Sequence, residues 1–364
     1  MKPNQCGSGI GVAATAAVVA AVGGFAVLSL LAGCATTPQT RTPAARPANS
    51  HNVLTAMASS AQHPRGELSG QIPPAAHLTQ SAALPGAGVP GGWPRQVALK
   101  NIRGFLFAET SVNGRDPVLF LVDTGCNQDV VAADLAKAWR LPICGAGYAV
   151  GAGGRQDARY HLIKRLDVGP MALNPGRIAS MDLSRFDAAF GIKVAGVISF
   201  QSLKQWPFTL DYAAGTLTFH DPSQRLGAEA GEIVPFREIN GLPMIAMRLA
   251  NQRWVSLVID SGGDQPLVLP RVAQMRWPEL FDQREFETVS IAAIGGPVEG
   301  RRMYLEEAAL LGRKLSRVTV SIEDNPAGFS AGQALVGRMG HPVLEHCTLS
   351  FDAQQQKVFV KWRE

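Results

Sequence analysis

Val118-Leu-Phe-Leu-Val-Asp123-Thr124-Gly125 and Val255-Ser-Leu-Val-Ile-Asp260-Ser261-Gly262 stand 137 residues apart and share one pattern. Each is an apolar run of strand length that stops at Asp, a hydroxyl residue and Gly. One such tripeptide is ordinary turn chemistry, because these residue types favour turns. Two of them, each closing an apolar strand at the same place in a repeat, need another explanation. A carboxylate at the end of a buried strand is costly without a partner. The two Asp are therefore candidates for a shared task.

The repeat extends well beyond the turns. From Gly104 to Ala136 the same offset pairs Gly104 with Gly241, Gln128 with Gln265, Val131 with Val268 and Ala136 with Ala273. It also matches large apolar residues, among them Phe105 with Leu242, Leu121 with Val258 and Val122 with Ile259. A gapless register of this length indicates duplication of one structural unit. Both copies also end alike: Gly196-Val-Ile-Ser199 and Gly337-Arg-Met-Gly340 lie at equal distances before Asp211 and Asp352. Each copy is predicted to run strand, acidic turn, strand, a short helix near Asp134 or Arg271, a Gly-rich hairpin, more strands and a closing strand. Short apolar or alternating runs punctuated by Gly, Pro, Asn and Asp make the fold all-β.

This constellation resembles the aspartic proteases, and most nearly the retropepsin-like family found in bacterial proteins. The resemblance covers roughly 93–364 and rests on both acidic turns, the Gly-rich hairpins and the Gly-x-x-Gly/Ser closing motifs. It implies two homologous acid-protease-type β-barrel lobes, 93–228 and 229–364, about a pseudo-twofold axis. It implies that Asp123 and Asp260 share one proton and activate a water for peptide hydrolysis. Two carboxylates in close contact cannot both ionise, a splitting for which aspartic proteases are the standard illustration. Thr124 and Ser261 would reach across the axis to hold the turns, and Gly125 and Gly262 would permit the close approach. Gly151, Gly153, Gly154, Gly295 and Gly296 would form hairpin flaps over a peptide or protein substrate. With both Asp in one chain, the catalytic unit would be a monomer. Departures from the family pattern are Ser199 in a closing motif, Cys126 after the first turn and Asp264 after the second. Tyr160 and Tyr304 are flap-tyrosine candidates by position only.

The N-terminal third reads differently. Lys2, an uncharged and mostly apolar run from Gly9 to Gly33, and small residues before Cys34 make 1–33 a secretory signal. The ending Leu31-Ala-Gly-Cys34 resembles a bacterial lipobox, which implies lipidation of Cys34 and attachment to the cell envelope. By the same analogy the site is the outer membrane, facing the periplasm. An uncleaved membrane helix is the alternative. Residues 34–92 lack Phe and Tyr, are dense in Ala, Pro, Thr, Ser and Gly, and read as a disordered tether.

Composition and the remaining motifs narrow the choices. The chain has 364 residues and a net charge of +5, but no basic run exceeds a pair such as Arg301-Arg302, so nucleic acid is not an expected partner. No His-Glu-x-x-His or Cys pair with metal spacing occurs, so neither metal nor cofactor is expected. His341 and His346 read as a surface pair. Cys126 and Cys144 fit either a disulfide or free thiols, and Cys347 is left over. Gly328-Phe-Ser330-Ala-Gly332 matches a serine-hydrolase elbow, but the residues before it read as loop rather than strand. Two functional alternatives therefore stand beside the peptidase: a non-catalytic peptide-binding lipoprotein of the same fold, and a serine hydrolase using Ser330.

Overall fold

The structure is a computed structural model that describes residues 29–31, 92–323 and 335–363. The rest of the leader, Cys34, the tether through 91 and Ser330 lie outside the described residues. Within them the fold is mainly β, in two sheets.

The first half carries β1 (Arg95–Ile102), β2 (Phe105–Val112), β3 (Val118–Asp123), β4 (Val130–Ala132), β5 (Ile143–Gly151), β6 (Gly154–Leu162), β7 (Arg177–Met181), β8 (Gly196–Ser199), β9 (Phe208–Asp211) and β10 (Thr216–Phe219). The second carries β11 (Arg237–Ile239), β12 (Leu242–Leu249), β13 (Arg253–Ile259), β14 (Leu267–Pro270), β15 (Phe281–Ala293), β16 (Gly296–Leu310), β17 (Arg313–Glu323), β18 (Val336–Met339), β19 (Cys347–Asp352) and β20 (Lys357–Trp362). Neighbouring strands run β5-β6-β7-β4-β8-β3-β2-β1 in one sheet and β15-β16-β17-β14-β18-β13-β12-β11 in the other. The pairing order is the same in both. Short helices Ala133–Ala138 and Arg271–Arg276 follow β4 and β14, where the sequence predicts them. A three-residue strand, Ser29–Leu31, pairs antiparallel with β5, Ser29 opposite Val150 and Leu31 opposite Tyr148.

Local chemistry accounts for the repetition. Arg103-Gly104 joins β1 to β2, and Asn240-Gly241 joins β11 to β12, both as two-residue turns with positive φ throughout. That geometry matches the twist of antiparallel hairpins and strongly favours Gly at its second position. Strands β3 and β8 then pair in parallel, as do β13 and β18. Parallel strands in the middle of a sheet are covered on both faces, which suits their nearly unbroken apolar sequences. Ser199 lies opposite Asp123, and Met339 lies opposite Ile259. Each closing motif thus lands beside its acidic turn.

The halves are joined by the antiparallel pair β9–β19, with β10 and β20 outside it. In its register Thr209 faces Ser350, its repeat counterpart, and their hydroxyls are 2.7 Å apart. Phe208 and Phe351 stack beside them, ring centroids 4.7 Å apart, both fully buried. One core cluster runs through this seam from Val122 and Phe200 to Ile259 and Leu349. Phe351→Ala is expected to lower unfolding free energy by about 3–5 kcal/mol, the usual loss for a buried aromatic, measured by urea denaturation.

Candidate active site

Asp123 is the last residue of β3, and Asp260 directly follows β13. Each carboxylate turns back on its own loop: Gly125 N donates to Asp123 Oδ1 at 2.7 Å, and Gly262 N donates to Asp260 Oδ1 at 3.1 Å. The turns also bond to each other. Thr124 N donates to Ser261 Oγ at 2.9 Å, and Ser261 N donates to Thr124 Oγ1 at 3.1 Å. Each hydroxyl then donates onward across the molecule, Thr124 to the Ile259 carbonyl at 2.7 Å and Ser261 to the Val122 carbonyl at 2.8 Å. Gly125 packs against the Asp260 carboxyl and Gly262 against that of Asp123, so a Cβ at either glycine would collide with the opposite carboxyl. The arrangement brings Asp123, Thr124, Gly125, Asp260, Ser261 and Gly262 into one cluster.

Both Asp side chains are 0% exposed. Burial, reinforced by the charge of Asp260 and by hydrogen bonding between the two carboxyls, pushes Asp123 well above its ordinary value of 3.8. The N–H groups of Gly125 and Gly262 pull the other way and do not offset this. Cys126 and Tyr212 lie close enough to feel the pair. Burial, with the charges of Asp123 and Asp260 added, pushes both well upward, so thiol and phenol stay protonated.

The surroundings of the two turns differ. On the first side, buried Asp129 accepts Ser199 N and Ser199 Oγ at 2.8 and 2.9 Å, and Ser202 Oγ as well. Ser199 Oγ also accepts Ser202 N, capping the helix Phe200–Leu203. Ser199 is thus a cap and a carboxylate ligand, which explains its departure from Gly. Burial raises Asp129 despite those hydrogen bonds. On the second side Pro266 and Gly340 occupy the corresponding positions, and a Cβ at Gly340 would collide with the backbone of Gly263 and Gln265. Instead, the second side has Arg338. This buried residue of β18 is paired with Glu323 and lies 3.8 Å from Asp260 Oδ2. Sequence reasoning passed over Arg338, Glu323 and Asp129. The available signal was an Arg in an otherwise apolar closing motif.

The glycines of both hairpins lie at their tips. Gly151 pairs with Gly154 across the turn Ala152-Gly153, and Ala293 pairs with Gly296 across Ile294-Gly295. The tips touch: Gly153 N donates to the Ile294 carbonyl at 2.9 Å, and Ala152 packs with Val289, Ala293 and Val298. Gly153 and Gly295 abut backbone of the opposite tip so closely that neither has room for a Cβ. Tyr160 is buried in the first half under the Arg177 guanidinium, and Tyr304 is stacked with Arg317. Neither stands at a tip. Cys126, Cys144 and Cys347 are free thiols. His341 is not a surface residue: it is buried edge-on against Phe105, with Gly104 pressed to its ring and Glu345 3.6 Å away. No group of three or more potential metal ligands occurs among the described residues.

The upward shift of Asp123 makes a stability prediction. A carboxyl that holds its proton more tightly when folded contributes stability that is complete below pH 3.8 and is lost as pH rises through the folded value. Asp123→Asn cannot ionise and escapes that loss. Its melting temperature is expected to exceed that of the native chain by several degrees at pH 7 and to converge with it below pH 3.8, checked by calorimetry across that range.

A family profile described as aspartyl protease matches residues 108–198, from within β2 through the first acidic turn and hairpin into β8. The match supports an aspartyl protease family, and hence a peptidase hydrolase, for that quarter of the chain. No curated protein matches the sequence.

Proposed function

We propose that this chain is an aspartic endopeptidase in which Asp123 and Asp260 act as one dyad. The observation that carries the reading is the reciprocal Thr124–Ser261 lock around two fully buried carboxyls. Carboxyls held in contact retain one proton between them over the intermediate pH range, and their apparent pKa values belong to the pair. In that state one carboxylate takes a proton from water as the water oxygen bonds to the peptide carbonyl carbon. The protonated partner donates to the carbonyl oxygen. The tetrahedral intermediate then collapses: the former carbonyl oxygen returns its proton to the carboxyl that supplied it, the C–N bond breaks and the amine nitrogen takes the proton removed from water. With both carboxyls buried and the hairpin tips joined, peptide entry requires the hairpins carrying Gly151, Gly153, Gly154, Gly295 and Gly296 to part.

In this reading 93–228 and 229–364 are the two lobes, and a single chain is complete as a catalyst. The segment 1–33 is a signal removed before Cys34, so the pairing of Ser29–Leu31 with β5 belongs to the unprocessed chain, and 34–92 is the tether between a lipidated Cys34 and the lobes. The periplasmic face of the outer membrane is then the place of action.

Peptide cleavage is expected to follow a bell-shaped pH profile with both limbs set by the dyad. Asp123→Asn and Asp260→Asn each should remove at least about 10³-fold of kcat, and the double variant little more, because the pair acts as a unit. Ser330→Ala should leave kcat unchanged. Activity that survives both Asn variants and disappears with Ser330→Ala overturns the reading, and tight peptide binding without turnover replaces it with a binding lipoprotein. For the address, Cys34→Ser should move the protein from the membrane fraction to the soluble one with activity intact. An unlipidated native N-terminus by mass spectrometry would remove the anchor.

A further inference from the structure

Val197 and Arg338 occupy the same place in the two halves. Val197 lies opposite Leu121 in the strand pair beside Asp123, and Arg338 lies opposite Val258, the repeat counterpart of Leu121. Val197 packs in an apolar cluster with Leu121 and Val130. Arg338 instead carries a charge into the interior at 3% exposure. Its Nη1 donates to Glu323 Oε2 at 3.2 Å, its Nη2 bonds Glu323 Oε1, and its Nε is 3.8 Å from Asp260 Oδ2. A buried ion pair of this kind is weak evidence for stability, since apolar residues of similar volume often serve equally well. Its position gives it another use. The guanidinium meets one carboxyl of the dyad, while the equivalent site beside the other carboxyl holds an isopropyl group.

Resting on the reading of the dyad as catalytic, we propose that Arg338 is a positioning residue that keeps Asp260 ionised and the shared proton on Asp123. Asp260 is then the base that takes the proton from water as the oxygen bonds to the carbonyl carbon. Asp123 is the acid that gives its proton to the carbonyl oxygen. On collapse the former carbonyl oxygen returns its proton to Asp123, the C–N bond breaks, and the amine nitrogen takes the proton held by Asp260. Bonds and protons balance, and the resting distribution is restored.

The charged and titratable groups facing Asp260 are consistent with this assignment. They are Asp123 and Cys126 of the first turn, Tyr212 after β9 and Arg338 of β18, with Glu323 of β17 and Asp264 acting in turn on Arg338. Arg338 supplies the positive charge in this set. Burial works against that charge, but the Glu323 carboxylate, with Asp260 and Asp264, more than offsets it and holds the guanidinium above its ordinary value. Glu323 sets the strength of the effect, because it neutralises part of the field that Asp260 feels.

Two variants of the full-length protein push the dyad in opposite directions. Glu323→Gln keeps shape and leaves the guanidinium uncompensated. Arg338→Met/Glu323→Gln removes both charges and leaves no orphan carboxylate. The first readout is the carboxyl titration of protein labelled with ¹³Cγ-aspartate, with resonances assigned through Asp260→Asn; the second is the pH dependence of peptide cleavage. The lower apparent value of the dyad should belong to Asp260. It should fall in Glu323→Gln and rise by about one unit in the double variant, the low end of the effect of a neighbouring Arg. The acid limb should follow, giving about tenfold lower cleavage in the double variant at a fixed pH on that limb. Arg338→Lys should recover part of the shift. Dyad titrations that coincide with the native protein in both Glu323→Gln and the double variant overturn the proposal, whatever happens to stability. If the double variant does not fold, an unmoved Glu323→Gln titration overturns it alone. Opposed shifts in a protein that cleaves no peptide would uphold the charge assignment and remove the peptidase reading instead.

Discussion

Two hydroxyls hold this molecule's most expensive feature in place. Thr124 and Ser261 each accept the other's backbone N–H and donate to a carbonyl of the opposite strand, at Ile259 and Val122. All four bonds are buried, so separating the turns would leave buried polar groups unpaired, each at a penalty of about 1–3 kcal/mol. That penalty opposes the mutual repulsion and desolvation of Asp123 and Asp260, which otherwise favour opening the pair. The glycines complete the arrangement. With Gly125 against Asp260 and Gly262 against Asp123, the carboxyls approach as closely as backbone allows.

Much of this was legible in the sequence, because it is written in local chemistry and repeated. The apolar runs ending in Asp, the matched Gly104 and Gly241 of the repeat, and the helices near Asp134 and Arg271 each follow from the sequence alone, whereas the two-residue turns that those glycines close came only with the structure. Repetition at a fixed offset turned weak local signals into a fold. The rest depends on long-range contacts that leave no local trace. The stack of Phe208 on Phe351 and the meeting of Gly153 with Ile294 join residues far apart in the chain. His341 reads as a surface residue when paired with His346, which alone of the two is exposed. Burial comes from Phe105 and Gly104, which the sequence does not place beside it. Ser199 read as a flaw in a motif, since its partner Asp129 becomes a neighbour only when β8 folds against β3 and β4.

The differences between the halves are confined to particular layers. At the acidic turns and the seam, the residues that meet across the halves stay alike: Thr124 opposite Ser261, and Thr209 opposite Ser350. Residues one layer behind the turns have diverged. The first turn rests on Asp129 with Ser199 and Ser202, where the second has Pro266 and Gly340. Cys126 donates to the Gln128 carbonyl where the second half has Gly263. The front layer meets its own copy and is constrained by both. Asp129, Ser199 and Ser202 bond within their own half, as Arg338 and Glu323 do in theirs, and are freer to differ.

That division has a consequence for the chemistry. A dyad placed on an exact twofold axis would hold its proton on either carboxyl with equal probability, as identical surroundings require. Nothing in the front layer breaks this equality, since the contacts made by Thr124 and Ser261 are reciprocal. Only the layer behind can break it, and it does so with a full charge: Arg338 stands 3.8 Å from Asp260, while the matching place beside Asp123 is Val197. Duplication supplies two carboxyls, and divergence behind them gives the two carboxyls different roles. A catalyst that needs one acid and one base benefits from both steps, because the symmetric layer fixes where the groups meet and the asymmetric layer fixes which of them carries the proton.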